Sequence, residues 1–338
     1  MIAAPAAFVR KTLALLSGQR LPACVLSREP LVVAAFWEDF VKAQGPLLAA
    51  VAAAPHALFA FQFGWHKTAA DLQQIARSAR EVTAAHPGLS LLFLANTAED
   101  EAALTGLGVA ALHCNHNALL DEKRYPLHDL EPTADAIYVA RIAPFKRHEL
   151  AAQIPSLELV GAYTGPDAGY FARVRTLMPD ARWRRRVRGP FMSKAMARAR
   201  VGLCLSAEEG AMFVSAEYLL SGRPVVSTRS LGGRDVLFDP ETCLIVDDDP
   251  AAVAAGVREM ASRRLAPAFV RAKVLAKMAP HRQRFLAAVQ AHFDRVGAGQ
   301  AARWERLFLH KLGLRCGLGP VAIFTRSLLR EVARPTRP

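Results

Sequence analysis

Residues 206–227 constrain the fold more than any other stretch. The apolar run at 201–205 precedes them and suits a buried parallel strand. Glu209-Gly210 then opens a helical stretch. Gly222 fits the left-handed residue that follows a helix, and Pro224 blocks continuation. A second strand-like run begins at Val225. A helix starting just past a strand points free N–H groups outward and favours anions. Glu209 and Glu217 stand eight residues apart, about two helical turns if one helix carries both. Carboxylates accept hydrogen bonds from sugar or ribose hydroxyls while the N–H groups hold a phosphate. On spacing alone the pair is better read as two solvated glutamates of an ordinary αβ unit.

The same alternation runs along the chain. Strand runs fall at 23–27, 31–36, 58–63, 89–94 and 109–113, with helices over 38–54, 68–85 and 98–105 and a looser one over 8–16. Strand, helix, strand in series predicts a parallel sheet. Residues 121–132 are charged, hold two prolines and lack periodicity, which reads as a linker. A second αβ series follows, with strands at 136–140, 157–161, 186–188, 201–205, 225–228 and 243–246. Asp247 to Asp249 suit the start of a helix over 251–263 better than a metal site. Two helices, 267–278 and 281–296, come next. Two such halves are Rossmann-like domains, and ligands of such pairs bind beyond the carboxyl ends of the strands.

Charge is concentrated at one end. The net charge is +13, yet residues 1–262 sum to zero, while 263–338 carry sixteen Lys/Arg against three acids. A basic tail suits a membrane surface or an anionic acceptor, or is simply a solvated helix surface. Trp304, Leu307, Phe308, Leu309, Leu312 and Leu314, interleaved with Arg303, Arg306 and Lys311, suit a membrane interface. No aromatic platform or known motif points to nucleic acid. No apolar run spans a bilayer, and the first 16 residues make a poor signal peptide. The five cysteines show no CxxC spacing, consistent with reduced, buried thiols in the cytoplasm.

A second motif stands at 138–147, where a strand ends at Ala140 and Arg141 and Lys146 follow five apart. A diphosphate needs cations that converge from a fixed loop, with Arg as a fork and Lys as a point charge. In isolation they also fit two surface cations. The two motifs together, Arg141-x4-Lys146 and later Glu209-Gly210-x6-Glu217 followed by Gly222-x-Pro224-Val225-Val226 and Gly232-Gly233, resemble retaining glycosyltransferases of family 4.

That resemblance implies the GT-B fold: α/β, two Rossmann-like αβα domains facing a cleft, the N-terminal one shortened. The expected domains are an acceptor-side domain at 1–133, a nucleotide-sugar domain at 134–263 and a basic helical tail at 264–338. The tail is expected to pack back on the first domain or on a membrane. By the resemblance Arg141 and Lys146 bind the donor diphosphate, and Glu209, next to Gly210, contacts the transferred sugar. Glu217 binds the ribose, and the N–H groups near Phe213 and Val214 touch phosphate. His66 stands where the family places an acceptor-side histidine, with His113 and His116 next. The segment 186–191 resembles the one beside the nucleotide base.

There are departures. Ala140 replaces a usual Gly, Ala211-Met212 replaces Phe-Gly, Asp235 ends the Gly-Gly motif, and no Gly-rich loop stands near residue 20. The implied reaction is transfer of a sugar from a nucleotide diphosphate to a hydroxyl of a glycan or glycolipid, with retention. It uses no metal and no cofactor beyond the nucleotide sugar as co-substrate. The setting would be cell-surface glycan synthesis at the cytoplasmic face of a membrane. Two rivals stand beside it. A nicotinamide dehydrogenase needs a Gly-x-Gly-x-x-Gly that this chain lacks. An inactive nucleotide-sugar-binding subunit fits the short first domain.

Overall fold

The structure is a computed structural model and describes residues 23–28, 30–41, 56–185, 187, 190–299 and 302. The expected helix at 8–16, most of the one at 38–54, and the apolar and basic tail beyond 302 lie outside the described residues. Two compact units form, residues 1–120 with 281–338, and residues 121–280. The sequence reading places its divisions at 133/134 and 263/264; the units divide at 120/121 and 280/281. The two Rossmann-like αβ units expected from the alternation are present.

The first unit holds a sheet of β1 (Ala23–Arg28), β2 (Leu31–Phe36), β3 (Ala57–Gln62), β4 (Leu89–Ala95) and β5 (Ala111–His113), side by side in chain order. β1 runs antiparallel to β2, and the other pairings are parallel. Right-handed crossovers between strands added in one direction put every connecting helix on the same face. Helix α1 (Ala69–Ala85) and α2 (Ala98–Gly106) do lie on one face, packing Leu72, Ile75, Ala79, Val82 and Leu104 against Phe59, Phe61 and Phe93. A capping box between Thr68 and Asp71 starts α1. The opposite face presents Val32, Ala34, Leu58 and Ala60, and Phe285, Val289 and Phe293 cover it from the end of a later helix. Each Val, Leu or Phe buried there contributes roughly 1.5–3 kcal/mol, and each Ala less.

The second unit is a six-stranded parallel sheet: β6 (Ala134–Val139), β7 (Leu157–Val160), β8 (Arg182–Arg184), β9 (Ala199–Cys204), β10 (Val225–Thr228) and β11 (Cys243–Val246). Its spatial order is β11-β10-β9-β6-β7-β8. The chain starts in the middle at β6, moves outward through β7 and β8, then returns to lay β9 against the other side of β6. Helices α3 (Ala168–Leu177), α4 (Pro190–Ala197), α5 (Phe213–Leu220) and α6 (Pro250–Ser262) connect or follow these strands. Gly202 of β9 is needed for close packing of α5, because a Cβ there would meet the Tyr218 ring at 2.4 Å.

The strand that pairs with β7 is β8 at Arg182–Arg184; of the strand expected at 186–188, residues 186 and 188 lie outside the described residues. The two tail helices are one helix, α7 (Pro267–Arg295), with Pro280 inside it. Buried residues at four-residue spacing on both sides of Pro280, Val270, Val274 and Met278, then Phe285, Val289 and Phe293, hold the helix through the missing N–H. Residues 121–132, read as a linker, begin at the break between the units and are anchored in the second: Tyr125 is buried, and Arg271 donates to the carbonyls of Tyr125 and Glu122.

Candidate functional site

In the second unit the strand order reverses between β6 and β9. Connections leave these neighbours in opposite directions, so a crevice opens beyond their carboxyl ends. The loop after β6 carries Arg141 and Lys146, and the loop after β9 carries Ser206 and Glu209. The two motifs, 63 residues apart at Lys146 and Glu209, meet there, as the Lys146 ammonium contacts Glu209 Oε1. Both side chains are largely buried. Ser206 Oγ donates to the same oxygen at 2.6 Å.

Glu209 does not stand on the helix. α5 begins only at Phe213, so Glu209 and Gly210 lie in the loop before it. Their backbone is already engaged. Glu209 N–H donates to Leu231 C=O at 3.1 Å, and Gly233 N–H donates to Gly210 C=O at 2.7 Å. Met212 then takes a left-handed conformation, φ 51°, as the residue before the helix. The Gly-Gly segment thus acts as a brace for the loop that carries Glu209.

Phe213 and Val214 are the first two residues of α5, at its positive end. Glu217 is buried on the same helix, and its Oε1 accepts from the Tyr125 hydroxyl at 2.9 Å. Gly222 follows the helix at φ 74°, as its place in the sequence requires. Arg141 is half exposed; its guanidinium and the Lys146 ammonium each lie 5.0 Å from the centre of the Phe145 ring. Arg141, Lys146, Glu209, Gly210, Phe213, Val214 and Glu217 therefore all belong to the second unit. His66 belongs to the first, in the loop after β3, as do His113 and His116. Burial pushes His116 down to about 3, so it is neutral at ordinary pH.

Three contributors escape a sequence reading. Arg147, at φ 51°, donates to Leu205 C=O at 2.6 Å, Thr228 Oγ1 at 2.7 Å and Asp248 Oδ2 at 2.6 Å. It ties the loop bearing Lys146 to the ends of β9, β10 and β11. Arg234 is fully buried and donates to Ser206 C=O at 2.5 Å, to Thr228 C=O and to Asp235. Tyr125 is the third. A clue for Arg147 was its place beside Lys146; Arg234 and Tyr125 carry no local signal. Asp249 accepts from Ala252 N–H to cap α6, as expected of a helix start. Among the described residues, no group of three or more His, Cys, Asp or Glu is placed to hold a metal ion. None of the described helices is long and apolar enough to cross a membrane.

Residues 137–263 match the family described as Glycosyl transferases group 1. No protein of curated function matches the chain by sequence. Among solved structures, the Anabaena protein Alr3699/HepE in complex with UDP-glucose is similar at a TM-score of 0.55 and 14% identity, over 86% of this chain and 82% of that one. AviGT4, a glycosyltransferase involved in avilamycin A biosynthesis, is similar at 0.54 and 17% identity, over 75% and 78%. TarM is similar at 0.53 and 14% identity over 69% of this chain, which spans half the length of TarM. The chain has the GT-B fold, and residues 137–263 of its second unit are similar to glycosyl transferases group 1.

Proposed function

We propose that the chain is a retaining glycosyltransferase of family 4, moving a sugar from a nucleotide diphosphate to a hydroxyl of a glycan or glycolipid. One observation carries this reading: Lys146 and Glu209, from separate motifs, meet beyond the two strands where the sheet order reverses. Breaking the donor bond builds negative charge on the leaving diphosphate and positive charge on the sugar ring. Lys146, Arg141 and the N–H groups of Phe213 and Val214 stabilise the first, in geometry fixed before the reaction. Glu209 orients the sugar hydroxyls and Glu217 the ribose. His66 serves the acceptor. These cations supply the counter-charge, so the reaction runs without a divalent ion. HepE in complex with UDP-glucose supports a nucleotide-sugar donor.

The enzyme works in the cytoplasm at the inner face of a membrane, on cell-surface polysaccharide or glycolipid. The support is the charge excess within residues 263–338.

The deciding experiment incubates the purified chain with a panel of nucleotide sugars and candidate acceptors, with and without EDTA. The expected outcome is EDTA-insensitive transfer with the donor's anomeric configuration kept. An inverted product overturns retention. Donor binding without transfer to any acceptor turns the assignment to a binding subunit. Flotation with liposomes tests the membrane setting: binding that is equal with and without anionic lipid removes it.

A further inference from the structure

Glu217 does not hold its position alone. Tyr125, 92 residues earlier, is buried and donates its hydroxyl to Glu217 Oε1 at 2.9 Å. Tyr125 is itself held. Arg271 of α7 donates to the carbonyl of Tyr125, to that of Glu122 at 2.7 Å, and to that of Leu220 at 2.9 Å. Leu220 is the last residue of α5, the helix that carries Glu217. One guanidinium thus fastens the Tyr125 turn to the end of that helix, and the tyrosine reaches back one turn to the carboxylate.

A carboxylate turns freely about its last bond unless a neighbour fixes it. A hydroxyl that donates to one oxygen selects one rotation and decides which lone pairs face the rest of the pocket. We propose that Tyr125 is a positioning residue for the donor ribose, setting the Glu217 carboxylate in the rotation that accepts the ribose hydroxyls, with Arg271 holding Tyr125 in place. This rests on the donor-site reading of Glu217. Burial, and then the Glu217 charge, push the Tyr125 hydroxyl far above its ordinary range, so it stays protonated and remains a donor at any working pH.

The arrangement makes a specific demand. Removing the Tyr125 hydroxyl should weaken nucleotides that carry ribose hydroxyls and spare those that lack them. A role in folding alone would weaken both by one factor.

The test measures binding to the whole chain by calorimetry. UDP, GDP and ADP are screened, and the tightest is compared with its 2′,3′-dideoxy form. In the parent chain the dideoxy form should bind about 10–100-fold more weakly, the range for hydrogen bonds to a charged group. In Glu217→Ala that ratio should fall to near one. In Tyr125→Phe it should shrink to a few-fold, with dideoxynucleotide affinity kept. Arg271→Lys, which keeps the ring and hydroxyl but loosens the turn, should give an intermediate ratio and stands in if Tyr125→Phe does not fold. A parent-like ratio in the Tyr125 or Arg271 variants, with collapse in Glu217→Ala, overturns the positioning role and leaves the donor site intact. A parent-like ratio in Glu217→Ala, or no nucleotide binding by the parent chain, overturns the donor reading and the positioning role with it.

Discussion

The ammonium of Lys146 rests against Oε1 of Glu209, and neither side chain is more than about one-eighth exposed. Removing one member of a largely buried pair leaves the other charge without compensation. Lys146→Ala should therefore do two things. It should lower kcat by roughly 10²–10³-fold, the usual cost of losing one group that stabilises a developing anion. It should also lower stability by about 3 kcal/mol. Adding Glu209→Gln to it should recover much of that stability and none of the activity. Denaturant titration beside single-turnover kinetics separates the two effects. A double variant as unstable as the sum of the singles would deny the coupling.

Arg234 makes a demand of its own. It is among the largest fully buried side chains of the described residues, and its donors close the carbonyls of Ser206 and Thr228 at the ends of β9 and β10. Arg234→Met keeps the length and removes every guanidinium donor, leaving Asp235 uncompensated and Ser206 C=O without that bond, while Thr228 C=O keeps only the Ser227 hydroxyl at 3.1 Å as a side-chain donor. The expected loss is about 3–5 kcal/mol, seen as a fall in denaturation midpoint. A variant within about 1 kcal/mol of the parent would show that water replaces the guanidinium there.

Much of this was legible in the chain. Period-two and period-3.6 patterns place most elements within a residue or two, since each strand or helix buries one face and its sequence must repeat accordingly. The meeting of Lys146 with Glu209 follows once both are put at carboxyl ends of strands. What stayed hidden depends on contacts far along the chain. Nothing near Tyr125 says that its hydroxyl meets Glu217, and nothing near Arg234 says that its guanidinium is buried. Glu209 and Glu217 look like one helical face by spacing. The backbone pairing of Glu209 and Gly210 with Leu231 and Gly233 breaks that face, and those partners lie more than twenty residues on.

Met212 offers a test of specificity. It adopts φ 51° without being Gly, its side chain is buried, and its sulfur lies 3.8 Å from Ser206 Oγ, the donor to Glu209. Left-handed backbone in such a residue costs on the order of 1 kcal/mol, offset here by packing. Met212→Gly should remove the strain and open space beside Glu209. The expected result is a broader set of accepted donor sugars, with the ratio of kcat/KM between the preferred sugar and a bulkier one falling several-fold. An unchanged ratio would mean that Met212 only fills space.

Acid sensitivity should come from buried histidines. Burial, and then the nearby Lys146 charge, hold His148 down to about 3 in the folded chain. Burial holds His116 down to about 3, and burial with His113 holds His281 down to about 4. Each is neutral when folded and takes up a proton near pH 6.5 when unfolded. The unfolded state therefore binds more protons between those limits, and stability falls as pH drops below about 6.5. Each histidine contributes a slope of about 1.4 kcal/mol per pH unit until its folded value is reached, with no further loss from it below that. His148→Asn should keep a polar side chain beside Tyr138 and Tyr170 and remove one proton from the difference. Unfolding free energies at pH 7.5, 6, 5 and 4.5 should then run less steeply in the variant by about that slope. Parallel curves would mean that His148 is charged in the folded chain.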